Sequence, residues 1–444
     1  MTNSIEQLTA LVDSEDPYNY AWMEFEPLWI DAIDRRFQDC RSRIPVLEQL
    51  AQRAGIDSVR SLDDVVPLLF AHTAFKSYPD AFIRHNQWDR MNVWLDTLSK
   101  GSVTGIDVSN VKDSDDWIEA LHSAGHYAFT TSGTSGKHSF INQSALDVEF
   151  ARRALTPSNV EPDNSRPVFV LGPRHAPNRA SAFFSSLADS CGRPGSVHFL
   201  TDEKMRITDL SERARMHKRI ADGVAMPSEI ADFEQATKAR AEYGNKQLER
   251  IIDLILDHRN EPSIIVGLTP QLWTVFQTAR KRGLTDGCFH PETLVFSGGG
   301  AKGMNVPPDH VQQLMRFMGL GLDRFGQGYG MQEISSGAVM SEWGRYNFPP
   351  WVVPLVLDDS GERLIGKGSG VVTGRMGLFD VSLDGRWGGV VSGDRVTMDF
   401  SPSPAGRLAP AVTEITRYSE LEGGDDKLTC AGTIESFVRG AVGE

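Results

Sequence analysis

The segment TTSGTSGK, Thr130 to Lys137, is the densest cluster of chemistry-capable residues in the chain. It follows directly on HYAFT, which reads as a strand. A strand running into a loop rich in glycine and hydroxyl groups is a natural phosphate cradle. Gly133 and Gly136 let the backbone approach a ligand closely. Successive N–H groups can then converge on an anion as a nest. Thr131, Ser132, Thr134 and Ser135 add hydroxyl donors, and Lys137 adds a positive charge. The loop is not a Walker loop, which needs G-x-x-x-x-G-K-[ST]. Here Gly133 stands only three positions before Gly136, and His138 follows Lys137. The bland alternative is an ordinary Ser/Gly surface loop.

Three further segments are of the same kind. LVFSGGGAKG is a strand that runs into Gly298, Gly299 and Gly300, where a flat ligand could lie against bare backbone; a tight strand-to-loop turn is the plain alternative. GQGYGMQE brings Tyr329, Gly330, Gln332 and Glu333 together. It is no dinucleotide fingerprint, because Met331 stands where G-x-G-x-x-G needs its third glycine. GVVSGDRV carries Asp394 in an S-G-D triplet, a sequence more often found in a β-turn.

The elements that must position these residues are legible in outline. The first hundred residues read as helical, with apolar positions at helical spacing through Trp29–Ala54 and a capping box at Ser61 and Asp64. From about Tyr127 short β-type runs alternate with helical stretches: HYAFT and SALDVEFARRAL, PVFVL and Ala180–Ala188, SIIVGL and PQLWTVFQTARKR, TLVFS and PDHVQQLMRFMG. That alternation predicts a mostly parallel sheet flanked by helices. Ser228–Asn260 reads as one long polar helix. After Pro350, WVVPLVL, GVVTG, GLFDVS and GVVSGDRVTM predict an antiparallel sheet or open barrel. The expected organisation is a helical lead over 1–126, an α/β core over 127–349, a β-rich subdomain over 350–419 and a short appendix over 420–444.

Bulk properties narrow the function classes. The chain has 444 residues, 40 % hydrophobic and 23 % charged, enough to bury a large core. A net charge of −14 argues against a nucleic-acid partner. Cys40, Cys191, Cys288 and Cys430 are scattered, with neither zinc-site nor disulfide-scaffold spacing, which fits a reduced, cytoplasmic setting. No apolar run approaches the roughly 18 residues of a membrane span, and the polar, acidic N-terminus does not read as a signal peptide.

Taken together, the four segments resemble the motifs of the adenylate-forming superfamily, which includes acyl-CoA synthetases, luciferases and peptide-synthetase adenylation domains. Its loop reads roughly [ST]-S-G-[ST]-[ST]-G-x-P-K, and Thr131 to Gly136 match it, whereas His138 and Ser139 replace the Pro and Lys. The resemblance implies an α/β large N-terminal domain of mostly parallel sheets flanked by helices, with a β-rich subdomain. It implies that the glycines at 298–300 border the adenine pocket, that Tyr329 stacks on adenine, that Glu333 ligates Mg²⁺ and that Asp394 accepts hydrogen bonds from the ribose hydroxyls. Gln332 departs from the family's Thr or Ser, which puts a hydroxyl contact in doubt. The N-terminal stretch CRSRIPVLEQLAQRAGIDSVRSLDDVVPLLF resembles phenylacetate–CoA ligases. VFSGGGAKG and NFPPWVVPLVLDDSGE resemble bacterial acyl-protein synthetases.

The resemblance further implies activation of a small carboxylic acid by ATP with Mg²⁺ as an acyl adenylate, then transfer to a thiol or an amine. CoA, a carrier protein and Cys430 are the candidate thiols. GGDDKLTCAGTIE matches the family's hinge at Asp425, Asp426 and Gly432 but has Gly423 in place of its arginine, and the chain stops at Glu444. The expectation is a mobile C-terminal domain that is truncated or absent, leaving its catalytic lysine without a counterpart. Catalytic roles then fall on Glu333, Lys137 and Cys430, although a small buried or idle cysteine is the favoured reading of Cys430. Two other readings stay open: a degenerate nucleotide-binding relative, and a kinase-like phosphoryl transferase. Trp273, Phe296 and Trp351 suit an apolar or aromatic acid but suit a core as well. A homo-oligomer is compatible with the sequence.

Overall fold

The computed structural model describes residues 3–131, 137–155, 160, 162–298, 306–342 and 344–421. Within them the strands are β1 (Phe70–Ala71), β2 (Phe129–Thr130), β3 (Phe140–Ile141), β4 (Arg166–His175), β5 (Gly192–Lys204), β6 (Ile264–Leu268), β7 (Leu294–Gly298), β8 (Phe325–Tyr329), β9 (Ala338–Glu342), β10 (Arg345–Asn347), β11 (Val352–Leu357), β12 (Val371–Asp380), β13 (Gly389–Asp399) and β14 (Ala411–Arg417). The helices are α1 (Ser4–Ala10), α2 (Trp22–Cys40), α3 (Pro45–Ala54), α4 (Leu62–Val65), α5 (Asp80–Arg84), α6 (Trp88–Asp96), α7 (Ser114–Ser123), α8 (Ala145–Leu155), α9 (Arg179–Cys191), α10 (Ile207–Ala221), α11 (Pro227–Asp257), α12 (Thr269–Lys281) and α13 (His310–Met318). The chain divides into two compact units, one of residues 1–131, 137–155 and 330–444, the other of 132–136 and 156–329.

The second unit is the expected strand–helix alternation. β5, β4, β6, β7 and β8 lie side by side in that order, every neighbouring pair parallel. Val168 and Val170 of β4, Ile264 and Val266 of β6 and Leu294 of β7 pack with Leu187, Ala188 and Cys191 of α9 in one apolar cluster. The near-continuous apolar runs that mark these strands are what a sheet covered by helices requires. Phe296 packs partly buried against the same cluster, so its ring belongs to the core.

The first unit combines the helical lead with the C-terminal strands. β11, β12, β13, β14, β10 and β9 form an antiparallel sheet in that order, and β1 joins β13 in parallel. α4 starts on the Ser61–Asp64 box, with both reciprocal hydrogen bonds formed. HYAFT does not enter the parallel sheet. Its strand β2 turns back on β3 in an antiparallel pair, Phe129 opposite Ile141 and Thr130 opposite Phe140. The cause is aromatic packing. Phe140 lies 5.5 Å from Tyr78 and 5.1 Å from Trp117, ring centre to ring centre, and Tyr78 lies 5.0 Å from Trp94. This cluster draws the hairpin onto the helical lead.

The turn after β12 is tied to the same lead by charge. Arg36 of α2 donates to the Val381 carbonyl at 2.9 Å and to Asp384 at 3.2 Å. Lys100 bridges Asp384 at 2.9 Å and Asp39 at 2.5 Å. Burial alone would raise the Asp384 carboxyl, but Lys100 and Arg36 outweigh it and hold it below the usual range. A carboxyl depressed in the folded state stabilises fully above its unfolded value of about 3.9, and that stability is lost as pH falls through the folded value. Asp384→Asn should therefore cost about 1–2 kcal/mol at neutral pH, allowing for partial exposure. It should also flatten the acid limb below about pH 4. Urea unfolding of both proteins across that range reads the difference; parallel acid limbs would contradict it.

Candidate active site

In open parallel sheets, ligands bind at the carboxyl ends of the strands. Two sequence-predicted positions lie there in the second unit. Gly298 ends β7 and Tyr329 ends the adjacent parallel strand β8, with Gly298 in register with Gly328. Among the described residues a Cβ placed on Gly298 would meet nothing within 4 Å, so on this side a planar ligand could approach the backbone. Gly326 has a different reason to be glycine: a Cβ there would come within 2.5 Å of the Phe296 ring. At the end of β6, the Thr269 and Ser297 hydroxyls share a buried hydrogen bond of 2.9 Å. That bond ties the start of α12 to β7. Gly299 and Gly300 lie outside the described residues, as do Ser132, Gly133, Thr134, Ser135 and Gly136 of the Gly/Ser/Thr loop, and Cys430.

The ends of that loop, in the first unit, are held firmly. The Thr131 N–H donates to the Ser139 carbonyl at 3.3 Å, and the Ser139 N–H donates to Thr131 Oγ1 at 3.1 Å. His138 is buried, its Nδ1 lying 2.8 Å from the Thr131 carbonyl. Burial pushes the Tyr78 hydroxyl well above its ordinary value. It stays protonated and donates to the His138 carbonyl at 2.9 Å. Lys137 pairs with Asp80 at 3.1 Å, donates to the Tyr78 carbonyl and sits 4.5 Å from the centre of the Tyr78 ring. The Asp80 side chain is 66 % exposed. An ion pair with so exposed a partner is worth about 0–1 kcal/mol, so Asp80 holds Lys137 only weakly.

Glu333 is buried, 4 % exposed, on the segment between β8 and β9. Gly330 and Gln332 precede it, and a Cβ on Gly330 would meet the Gly337 backbone at 2.9 Å, which closes this loop tightly. The buried Arg386 guanidinium donates to the Glu333 carbonyl, and also to the Trp387 carbonyl at 3.2 Å. Burial lowers the Arg386 pKa, while the charges of Asp147, Asp380 and Glu333 oppose that shift. Asp380 in turn accepts from the Ser335 N–H at 2.5 Å and from the Ser382 N–H at 3.0 Å. Among the described residues, no group of three or more His, Cys, Asp or Glu side chains is placed to hold a metal ion. A single buried carboxylate still fits Mg²⁺, which takes one or two protein carboxylates and completes its shell with phosphate oxygens and water.

Asp394 lies inside β13, not in a turn. The ladder between β12 and β13 shifts register between Arg375 and Gly377, opposite the stretch that carries Ser392, Gly393 and Asp394. Such a bulge re-aims side chains and is common beside active sites. The Asp394 N–H donates to Ser392 Oγ at 3.1 Å, and buried Arg375 donates to the Ser392 carbonyl at 3.3 Å. The Arg375 guanidinium also stacks 3.8 Å from the centre of the Tyr418 ring. Trp351 is 1 % exposed, and its indole N–H donates to Ser336 Oγ at 2.8 Å, so it is a support of the Glu333 segment.

Asp147 and Arg386 are the residues that motif reasoning missed. Ser144-Ala-Leu-Asp147, with Ser144 capping the start of α8, is a legible capping signal for the first. Arg386 had none, since an arginine in a Gly-rich turn reads as solvated.

Neither a protein-family model nor a curated protein matches the sequence. Solved structures do. A 2-hydroxyisobutyryl-CoA ligase in the postadenylation state, in complex with R3-HIB-AMP, is 12 % identical; the alignment covers 91 % of this chain and 71 % of that one, with a TM-score of 0.54. An open conformation of that ligase with 2-HIB-AMP and CoA is 12 % identical, over 92 % of this chain and 80 % of that one, with a TM-score of 0.52. Its thioesterification state is 13 % identical, over 91 % and 71 %, with a TM-score of 0.51. At such identity it is the architecture that is shared: this chain has the fold of these CoA ligases.

Proposed function

We propose that the chain activates a carboxylic acid with ATP as an acyl adenylate and passes the acyl group to a thiol or an amine. The observation that carries this reading is the coincidence of motif and fold. The ligases that share the architecture bind acyl-AMP and CoA, and this chain's Gly298 and Tyr329 end neighbouring parallel strands, where such folds bind ligands. Tyr329 is the residue assigned to adenine, Asp394 to the ribose hydroxyls, and Thr131 to Lys137 to the phosphates. Glu333 is the residue that would hold Mg²⁺, which supplies neutralisation of the phosphate charge.

In the proposed reaction the substrate carboxylate oxygen bonds to the α-phosphorus as the bond to the bridging oxygen breaks, and pyrophosphate leaves. The chain's contribution is positioning and electrostatic stabilisation rather than covalent chemistry. The acceptor then attacks the acyl carbonyl and AMP leaves. CoA, a carrier-protein thiol, Cys430 and an amine are the candidate acceptors. Cys40, Cys191 and Cys288 are poor ones, because burial pushes each thiol up, Cys40 to about 12.

ATP–pyrophosphate exchange with a library of small acids tests the reading. Acid-dependent exchange with AMP as the nucleotide product is expected. ADP as product would favour phosphoryl transfer, and ATP binding without exchange against any acid would leave a degenerate relative.

A further inference from the structure

The Glu333 segment is gripped from one side by the turn that joins β12 to β13. Arg386 donates to the Glu333 carbonyl. Two residues along, the Ser335 N–H donates to Asp380 at the end of β12. The Ser382 hydroxyl stands between them, 2.5 Å from Asp380 and 2.9 Å from Ser335 Oγ. Arg386 is 1 % exposed, and its guanidinium lies 5.4 Å from the centre of the Phe75 ring. A buried guanidinium so confined has one place to be.

The turn is itself rigid. Asp147 accepts from the Asp384 and Gly385 N–H groups at 2.6 and 2.9 Å. The Lys100 N–H donates to the Gly385 carbonyl at 2.9 Å. Arg386 leads directly into β13, the strand that carries Asp394.

We propose that Arg386 is a positioning residue for the metal-binding carboxylate: with Asp380 and Ser382 it fixes the backbone that presents Glu333. The proposal rests on the reading of Glu333 as the Mg²⁺ ligand. Its physical basis is that a carbonyl held by a buried cation fixes the backbone at the adjoining Cα, from which the Glu333 side chain departs. Support groups of this kind alter metal affinity by about 10–100-fold when removed.

Arg386→Met and Ser382→Ala test it. Two readouts are needed: the Mg²⁺ midpoint of acid-dependent exchange, and the thermal shift produced by ATP with Mg²⁺ against ATP with EDTA. The expectation for Arg386→Met is a Mg²⁺ midpoint raised at least about tenfold. Its thermal shift with ATP in EDTA should match wild type, because Asp394 and the loop remain. Arg386→Lys should recover part of the loss. Ser382→Ala removes one hydroxyl and keeps the buried cation, so it remains testable if Arg386→Met does not fold; a rise of about threefold is expected, the size of a weak hydrogen bond. Unchanged Mg²⁺ midpoints and unchanged Mg²⁺-specific thermal shifts in the folded variants would overturn the proposal. A wild-type chain with no Mg²⁺-dependent use of ATP would overturn the functional reading beneath it instead.

Discussion

Glu333→Gln should reduce acid-dependent ATP–pyrophosphate exchange by about 10²–10³-fold or more while the chain remains folded. The substitution keeps the shape of a buried side chain and one oxygen acceptor, so the packing of this side chain is preserved. It removes the charge that a hard cation requires of its ligand, and an amide oxygen is a far weaker partner for Mg²⁺. Mutation of a residue that acts only where phosphate charge is redistributed lowers kcat and kcat/KM together. Asp394→Ala is the informative companion. A ribose contact exists in the ground state and in the transition state alike, so its loss should raise the KM for ATP more than it lowers kcat. Exchange assays over a matrix of ATP and Mg²⁺ concentrations separate the two signatures. Wild-type exchange by Glu333→Gln at limiting Mg²⁺ would remove Glu333 from the chemistry.

The largest effect on stability is expected at Asp147. Its carboxylate is 1 % exposed and serves two masters. It closes the capping box of α8, accepting from the Ser144 N–H at 2.8 Å while its own N–H donates to Ser144 Oγ at 3.2 Å. It also receives the Asp384 and Gly385 N–H groups of the β12–β13 turn. Gly385 is glycine for this reason, since a Cβ there would lie 2.7 Å from Asp147 Oδ2 and 2.6 Å from the Ser144 nitrogen. Asp147→Ala would leave three backbone donors without a partner, each worth about 1–3 kcal/mol. A total near 3–5 kcal/mol is a large share of the 5–15 kcal/mol that holds a typical domain together. Ser144→Ala, which removes only the cap hydroxyl, should cost about 1 kcal/mol. Urea unfolding measures both. A loss under about 1 kcal/mol for Asp147→Ala would mean that the turn does not depend on this carboxylate.

Much of the architecture could be read from the chain. β4, β6 and β7 are short apolar runs, each followed by an amphipathic stretch, and the parallel sheet follows from that pattern. The 31-residue helix α11 and the Ser61–Asp64 box were legible for the same reason, because periodicity and capping depend on residues within a few positions of one another. The strand over HYAFT was also visible. Its partner was not, because Phe140, Trp94 and Trp117 choose that partner by packing over distances in sequence that no local pattern records.

The candidate site divides along the same line. The sequence by itself determined which residue types were present and in what order: a hydroxyl- and glycine-rich loop, Tyr329, Glu333 and Asp394 on a motif frame. Only the tertiary structure decided what each one touches. It paired Lys137 with Asp80 and Tyr78, set Asp394 at a register shift inside the expected β-run, and placed Arg386 against the carbonyl of Glu333 across 53 residues of chain. The physical reason is range. Helix periods, caps and turns are set by neighbours along the backbone. The partner of a buried charge is set by whichever groups are excluded from water with it, and that is known only once the chain has folded.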